Sequence, residues 1–162
     1  MNLQQWAQIA EVVGSAAVIV SLIYVGVQVR QNTRALTATT YNALTANTVA
    51  ILAPMTRDPE FTEFLHRAQT SHDALTPPEQ LRFHMTMQIA FRHWDNLHYQ
   101  FRNGTLDREM WEGYDRTMTR WLTNDAWRAW FRDNGESYSE SLRALVRERL
   151  SASPSRAPEV RR

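Results

Sequence analysis

An uncharged apolar run near the N-terminus constrains this chain more than any other feature. Residues 12–29 read VVGSAAVIVSLIYVGVQV, which is 18 residues without a formal charge and with Gln28 as the one amide. A helix of this length extends about 27 Å, close to the thickness of the hydrocarbon layer of a bilayer. The run therefore predicts a transmembrane anchor over residues 1–30, with the lipid bilayer as a partner.

Two other interpretations of this run are weaker. A cleavable signal peptide begins with basic residues, and this chain has no Lys or Arg before Arg30. The core helix of a soluble protein usually keeps a polar side, whereas this run is apolar all round for five turns. An uncleaved anchor is the preferred interpretation.

The charges around the run predict its orientation. Glu11 is the one charged residue in 1–29, and Arg30 and Arg34 follow directly after the run. Basic residues that flank a membrane helix stay in the cytoplasm. We therefore expect the N-terminus outside and the C-terminal domain in the cytoplasm, in the inner (cell) membrane of a bacterium.

Small residues recur on one side of the predicted anchor at alternating spacings of three and four. We call these residues the anchor seam: Ala7, Ala10, Gly14, Ala17 and Ser21. Small side chains let two helices approach closely in lipid, where packing drives their association. The seam predicts a homo-oligomer or a contact with another membrane protein; the alternative is that Ala and Gly are simply common in anchors.

The rest of the chain carries helix signals and no strand-like alternation. The stretch 30–53 has no Gly or Pro, so the anchor helix is expected to continue as a stalk over 31–56 that Pro54 ends. Five later positions are typical of helix starts: Asp58-Pro59, Thr76-Pro77, Asp107, Asn124 and Ser139. The prediction is an all-α fold, with a transmembrane helix continuing into a stalk, a small helical bundle over 57–150 and a disordered tail over 151–162.

The core of the bundle is predicted from aromatic and aliphatic residues at helical spacing. The most regular stripe comprises Phe83, Met87, Ala90, Trp94, Leu97 and Phe101, and Gly104 is expected to end that helix. A second group, Trp127, Trp130 and Phe131, is expected to close one end of the bundle. The alternative is an exposed aromatic patch for a partner or a membrane surface.

Composition excludes several classes of function. The 18 basic residues are all Arg and balance 17 acidic ones, so the net charge of +1 gives no support for a nucleic-acid partner. The absence of Cys excludes thiol catalysis, and five scattered Gly form no phosphate-binding loop. No catalytic residue and no cofactor is predicted.

Two carboxylate-x-x-His motifs resemble the ligand pairs of di-iron bundles: Glu63 with His66, and Asp95 with His98. On a helical wheel Glu63 lies opposite the apolar stripe of its helix, His66 lies at the edge of that stripe, and Asp95 lies off the Trp94 stripe. No metal site is predicted.

His98 lies on the apolar side of its helix and defines the one pocket hypothesis. A ligand-binding or catalytic pocket would lie near Trp94, His98, Tyr99 and Trp111. The favoured alternative is a histidine at the edge of the core that bonds to a carbonyl or a Tyr hydroxyl.

Several segments resemble a widespread family of uncharacterised bacterial proteins with one N-terminal transmembrane helix and a helical C-terminal domain. The segments read SLIYVGVQVRQNTRAL, DPEF, TPPEQLRFH, NLHYQFRNGTLDREMWEG and WRAWF, and they span nearly all of 1–150. The most specific are RQNTR and the stretch 99–111. The resemblance implies a bacterial origin, an anchor and an all-helical domain; it implies no activity, cofactor or catalytic residue.

These observations favour a membrane-tethered interaction or adaptor module, or an accessory subunit of a membrane assembly, and a homo-oligomer is compatible with them. The alternative function is a membrane-anchored enzyme or small-ligand sensor that uses the pocket near His98. An enzyme is the less favoured of the two.

Overall fold

The structure, a computed structural model, describes residues 3–152, and every regular element in that range is helical. The predicted all-α fold is confirmed. The elements in chain order are α1 (Leu3–Arg57), α2 (Pro59–Thr70), a 3₁₀ turn (His72–Ala74), α3 (Pro77–Arg102), α4 (Arg108–Trp121), α5 (Asp125–Asn134), a second 3₁₀ turn (Gly135–Ser137) and α6 (Glu140–Ala152). Most of the predicted tail lies outside the described residues, although Ser151 and Ala152 belong to α6.

Helix α1 is 55 residues long and continues through Pro54 to Arg57, so the prediction that Pro54 ends the helix is wrong. A proline in a helix removes one N–H donor but keeps a helical φ, and the residues after it can still donate. The N–H of Asp58 bonds to the carbonyl of Pro54 at 3.0 Å, which closes this last turn.

The chain divides into two compact units, Met1–Thr40 and Tyr41–Arg162. In the first unit one helix near the N-terminus is long and apolar enough to cross a membrane. The second unit contains the remainder of α1 and the other five helices. The predicted divisions at 30 and 56 stay predictions.

The helix starts of the second unit follow their sequence signals. Four predicted caps accept a backbone N–H from their own first turn: Asp58 from Phe61 (3.1 Å), Asp107 from Met110 (2.9 Å), Asn124 from Ala126 (3.0 Å) and Ser139 from Leu142 (3.1 Å). At the fifth, the carboxylate of Glu79 accepts from the N–H and the hydroxyl of Thr76, and these bonds lower the pKa of Glu79 to about 2. Gly104 follows α3 with a φ of +72°, a conformation that favours glycine.

Aromatic rings fill the core, and Phe91 of α3 lies at its centre. The Phe91 side chain is fully buried, and five ring centroids lie 4.6–6.0 Å from its own: Trp94, Trp127, Trp130, Phe131 and Tyr138. Trp127, Trp130 and Phe131 are buried in this core, so they do not form the exposed aromatic patch that was the alternative prediction. Helix α1 contributes Leu44, which is buried in the same core.

A bidentate ion pair joins the last helix to α4. Arg149 donates from Nε and Nη2 to the carboxylate of Asp115 at 2.9–3.1 Å, and the two side chains are 26% and 17% exposed. Pairs of this geometry are stronger than single-point surface pairs because two parallel bonds fix the carboxylate.

We expect Asp115→Asn to lower the free energy of unfolding by about 1–3 kcal/mol, between the effect of an exposed pair and that of a fully buried one. Urea denaturation of the full chain in non-ionic detergent measures the change. The matched control is Glu112→Gln on the same helix, because Glu112 and Arg116 are well exposed and 4.0 Å apart. Equal losses in the two variants would contradict the assigned importance of the Asp115 pair.

Candidate functional site

An open groove of about 660 Å³ lies in the second unit between α1, α3 and the start of α6. Its lining is polar and mixed in charge: Asn47, Arg92, His93, Asp95, Asn96, Tyr99, Arg102, Ser139 and Ser141. The volume is in the range of pockets that hold small molecules. Helix α3 supplies most of the lining because its polar flank turns away from the aromatic core.

His93 is the histidine of this groove, and its ring contacts Thr48 of α1. The Thr48 hydroxyl lies 2.8 Å from the carbonyl of Leu44, to which it can donate, and 2.9 Å from Nε2 of His93; the tautomer of His93 decides which group donates in this second contact. The Tyr114 hydroxyl lies 3.4 Å from the same oxygen, and its ring meets His93 edge-on. A neutral His93 ring has one donor and one acceptor nitrogen.

Burial sets the protonation of His93. Desolvation lowers its pKa below the ordinary value of 6.5, because a half-buried imidazole holds a charge poorly. Burial also lowers the pKa of His98. The lowered pKa values favour the neutral form of both rings at pH 7, so His93 offers the groove a neutral imidazole rather than a cation.

These shifts predict that the domain loses stability on acidification. Between its folded pKa and 6.5, the unfolded chain binds a proton at His93 that the folded chain does not, so lowering the pH through this window favours unfolding. We expect the urea concentration at the unfolding midpoint to be lower at about pH 5.5 than at about pH 7.5, and we expect this difference to be smaller in His93→Gln. His66→Gln, an exposed histidine of α2, is the control and should retain the full fall. An equal fall in His93→Gln and the wild type would count against this role.

Asp95 of α3 forms hydrogen bonds with Ser139 at the start of α6, at one edge of the groove. Its carboxylate accepts from the hydroxyl of Ser139 and from the Ser139 N–H at 3.3 Å, and Arg92 lies 3.4 Å away. Arg92 also lies 4.8 Å over the ring of Tyr138 and donates to the carbonyl of Ser137. The acceptor capacity of Asp95 is thus used in holding two helices together.

The carboxylate-x-x-His motifs do not assemble. Glu63 and His66 are exposed on α2, as the helical wheel predicted. Across residues 3–152, no group of three or more His, Asp or Glu side chains has an arrangement that could hold a metal ion.

The chain matches no protein-family model, no curated protein and no solved structure. Its function is therefore argued from its own residues.

The four residues that the sequence predicts as pocket candidates are divided between the core and the groove. Trp94 and Trp111 are buried in the core, and the ring of His98 stacks on Trp111 with centroids 5.1 Å apart. Nδ1 of His98 is buried without a hydrogen-bond partner among the described residues, so the expected bond to a carbonyl or a Tyr hydroxyl is not made there. Of the four, Tyr99 lines the groove, and it is well exposed.

Sequence reasoning missed His93. The residue directly precedes Trp94 in the chain, and a helical wheel places it on a flank of the apolar stripe. Its partner Thr48 is 45 residues upstream on α1, in a stretch without a distinctive local pattern. The contact that makes His93 notable becomes visible once α1 and α3 are packed together.

The anchor seam is described in part. Gly14, Ala17 and Ser21 are exposed, and a Cβ added at Gly14 would meet nothing within 4 Å. The Ser21 hydroxyl donates to the carbonyl of Ala17 at 2.8 Å, so it is satisfied within the helix. The side chains of Ala7 and Ala10 lie outside the described part of the structure.

Proposed function

We propose that this chain is a single-pass membrane protein that tethers a helical interaction module to the cytoplasmic side of a bacterial inner membrane. One observation is the main support for the membrane tether. The large apolar side chains from Val13 to Val29 are 49–67% exposed, and the helix that contains them is long and apolar enough to cross a membrane. Exposed apolar surface of this length is costly in water and favourable in lipid.

The orientation rests on Arg30 and Arg34, which follow the apolar run when no basic residue precedes it. The absence of Cys makes a direct test clean, because one introduced thiol is the only thiol in the chain. Gln8→Cys lies before the run, and Thr123→Cys lies at the end of α4; both residues are exposed. A membrane-impermeant maleimide should label Gln8→Cys in intact spheroplasts and label Thr123→Cys after lysis. The reverse pattern would overturn the orientation.

The partner that we propose first for this interaction module is a second copy of the same chain. Copies tethered in one membrane share an orientation, so identical faces meet at a high effective concentration. The seam supplies small residues for close approach, and the same alternating spacing continues along the sequence to Val49 and Leu52, which are exposed.

Disulfide crosslinking in native membranes tests self-association. Ala17→Cys lies on the seam, and Ile19→Cys, about 200° around the helix, is the matched control. We expect mild oxidation to give a covalent dimer for Ala17→Cys and little for Ile19→Cys. Equal crosslinking at the two positions, or none at either, would count against a dimer through this seam.

A small-ligand sensor is the second candidate, and the groove beside His93 favours it. Arg92 and Arg102 offer donors, while Asn47, Asn96 and the imidazole of His93 add further hydrogen-bonding groups, an arrangement suited to a small molecule with carboxylate and amide groups. A thermal-shift screen of such compounds against the wild type and His93→Gln tests it. A compound that stabilises the wild type and not the variant would support the sensor; a screen in which none does so would remove this candidate.

A further inference from the structure

A second groove, of about 260 Å³, lies between α5 and α6 and is lined by four arginines and one glutamate. Arg128 and Arg132 come from α5, and Arg143 and Arg147 come from α6. Phe131, Val146 and Leu150 form its apolar floor. We call it the arginine groove.

The four arginines repel one another, and the fold brings them together nonetheless. Each helix carries its two arginines four residues apart, a spacing at which like charges destabilise a helix. Packing α5 against α6 then adds the repulsion between the two pairs. An anion bound between the two pairs would reduce this repulsion.

The carboxylates near the groove do not neutralise it. Asp125 bonds to Arg128 and Glu136 to Arg143, but these two carboxylates are more than 90% exposed, and Asp133 beside Arg132 is also largely in water. Exposed pairs of this kind contribute little. Each guanidinium has five N–H donors, so a single carboxylate contact leaves most of them available.

Two of the arginines are largely buried, and the other two, Arg132 and Arg147, are exposed. The side chains of Arg128 and Arg143 are 26% and 32% exposed, whereas Arg132 is 74% exposed. Nε of Arg143 is buried without a hydrogen-bond partner among the described residues. The inner pair, Arg128 and Arg143, thus lies closer to the apolar residues of the groove, and the outer pair lies nearer the solvent.

We propose that the arginine groove binds the phosphate of an organophosphate that carries an apolar substituent. Guanidinium forks match phosphate oxygens in bidentate geometry, and four arginines suit a dianion better than a carboxylate. The apolar floor accommodates the substituent. The groove is slightly smaller than pockets for drug-sized ligands, which fits a head group or a small ester. The phosphate comes either from a soluble ester or from the head group of an anionic lipid.

The soluble arm of the test uses phenyl phosphate, titrated calorimetrically into the full chain in non-ionic detergent. We expect binding by the wild type, and binding at least about tenfold weaker in the Arg143→Gln, Arg147→Gln double variant, since each loses charge-assisted bonds. The matched control is Arg108→Gln with Arg116→Gln, two exposed arginines of α4, and it should bind like the wild type. The Arg143→Lys, Arg147→Lys double variant keeps the positive charges but loses the bidentate guanidinium geometry, so its affinity should lie between those of the wild type and the Gln double variant.

The lipid arm compares thermal unfolding in nanodiscs of phosphatidylcholine with and without phosphatidic acid. A rise in the midpoint with phosphatidic acid, in the wild type and control but not in the groove variant, assigns the phosphate to lipid. Discrimination by phenyl phosphate alone assigns it to a soluble ester. Equal behaviour of the groove and control variants in both arms overturns the proposal, and inorganic phosphate binding as tightly as phenyl phosphate overturns the role of the floor. Unliganded midpoints of all variants show that each one is folded. The soluble arm does not depend on the proposed membrane tether.

Discussion

Phe91→Ala is expected to remove a large part of the stability of the helical domain. The ring is fully buried and lies within 6.0 Å of five other aromatic rings, so truncation leaves a cavity that rigid neighbours fill poorly. Substitutions of this type cost about 3–5 kcal/mol. Domains of this size are stable by about 5–15 kcal/mol in total, so the loss is a large part of the whole.

Urea denaturation followed by tryptophan fluorescence measures this loss, because the rings around Phe91 include three tryptophans. Ile89→Ala is the matched control: it removes an apolar side chain two residues earlier on α3, but from a position that is 57% exposed. Its effect should stay within about 0.5 kcal/mol. Phe91→Leu should fall between the two. A Phe91→Ala variant as stable as Ile89→Ala would show that the centre of the core lies elsewhere.

The helices could be predicted from sequence because their signals are local. Asp58, Asp107, Asn124 and Ser139 cap helices by bonds to their own first turns, so the residue and its partner lie three or fewer positions apart. The error at Pro54 also comes from relying on a local signal. Proline strongly disfavours a helix but leaves later N–H groups free to bond, and whether the helix goes on depends on packing that the sequence does not display.

The two grooves could not be predicted in the same way. His93 becomes a groove residue through Thr48, and the arginines of α5 and α6 each look like the solvated face of a single amphipathic helix. Their convergence depends on how two helices pack, which no local pattern specifies. The sequence placed the pocket at His98 because that residue lies on the apolar side, and the structure places His98 against Trp111.

Substitution of Val18→Arg together with Leu22→Arg is expected to release the chain from the membrane. The two residues lie one turn apart in the middle of the apolar run, and both are exposed. An arginine at the centre of a membrane helix costs about 2.5–3.5 kcal/mol, so the pair costs about 5–7 kcal/mol and leaves no uninterrupted apolar segment long enough to span. The folded domain follows the run, and its core does not include these side chains.

Alkaline extraction of membranes separates spanning proteins from attached ones and measures this effect. The wild type should remain in the pellet, and the double variant should appear in the supernatant or the soluble fraction. The matched control is Thr33→Arg with Thr37→Arg, which adds the same two charges at the same spacing just beyond the run. Because these positions are on the side predicted to be cytoplasmic, the control should stay in the pellet. A Val18→Arg, Leu22→Arg chain that also stays in the pellet would mean that the apolar run does not hold the protein in the membrane.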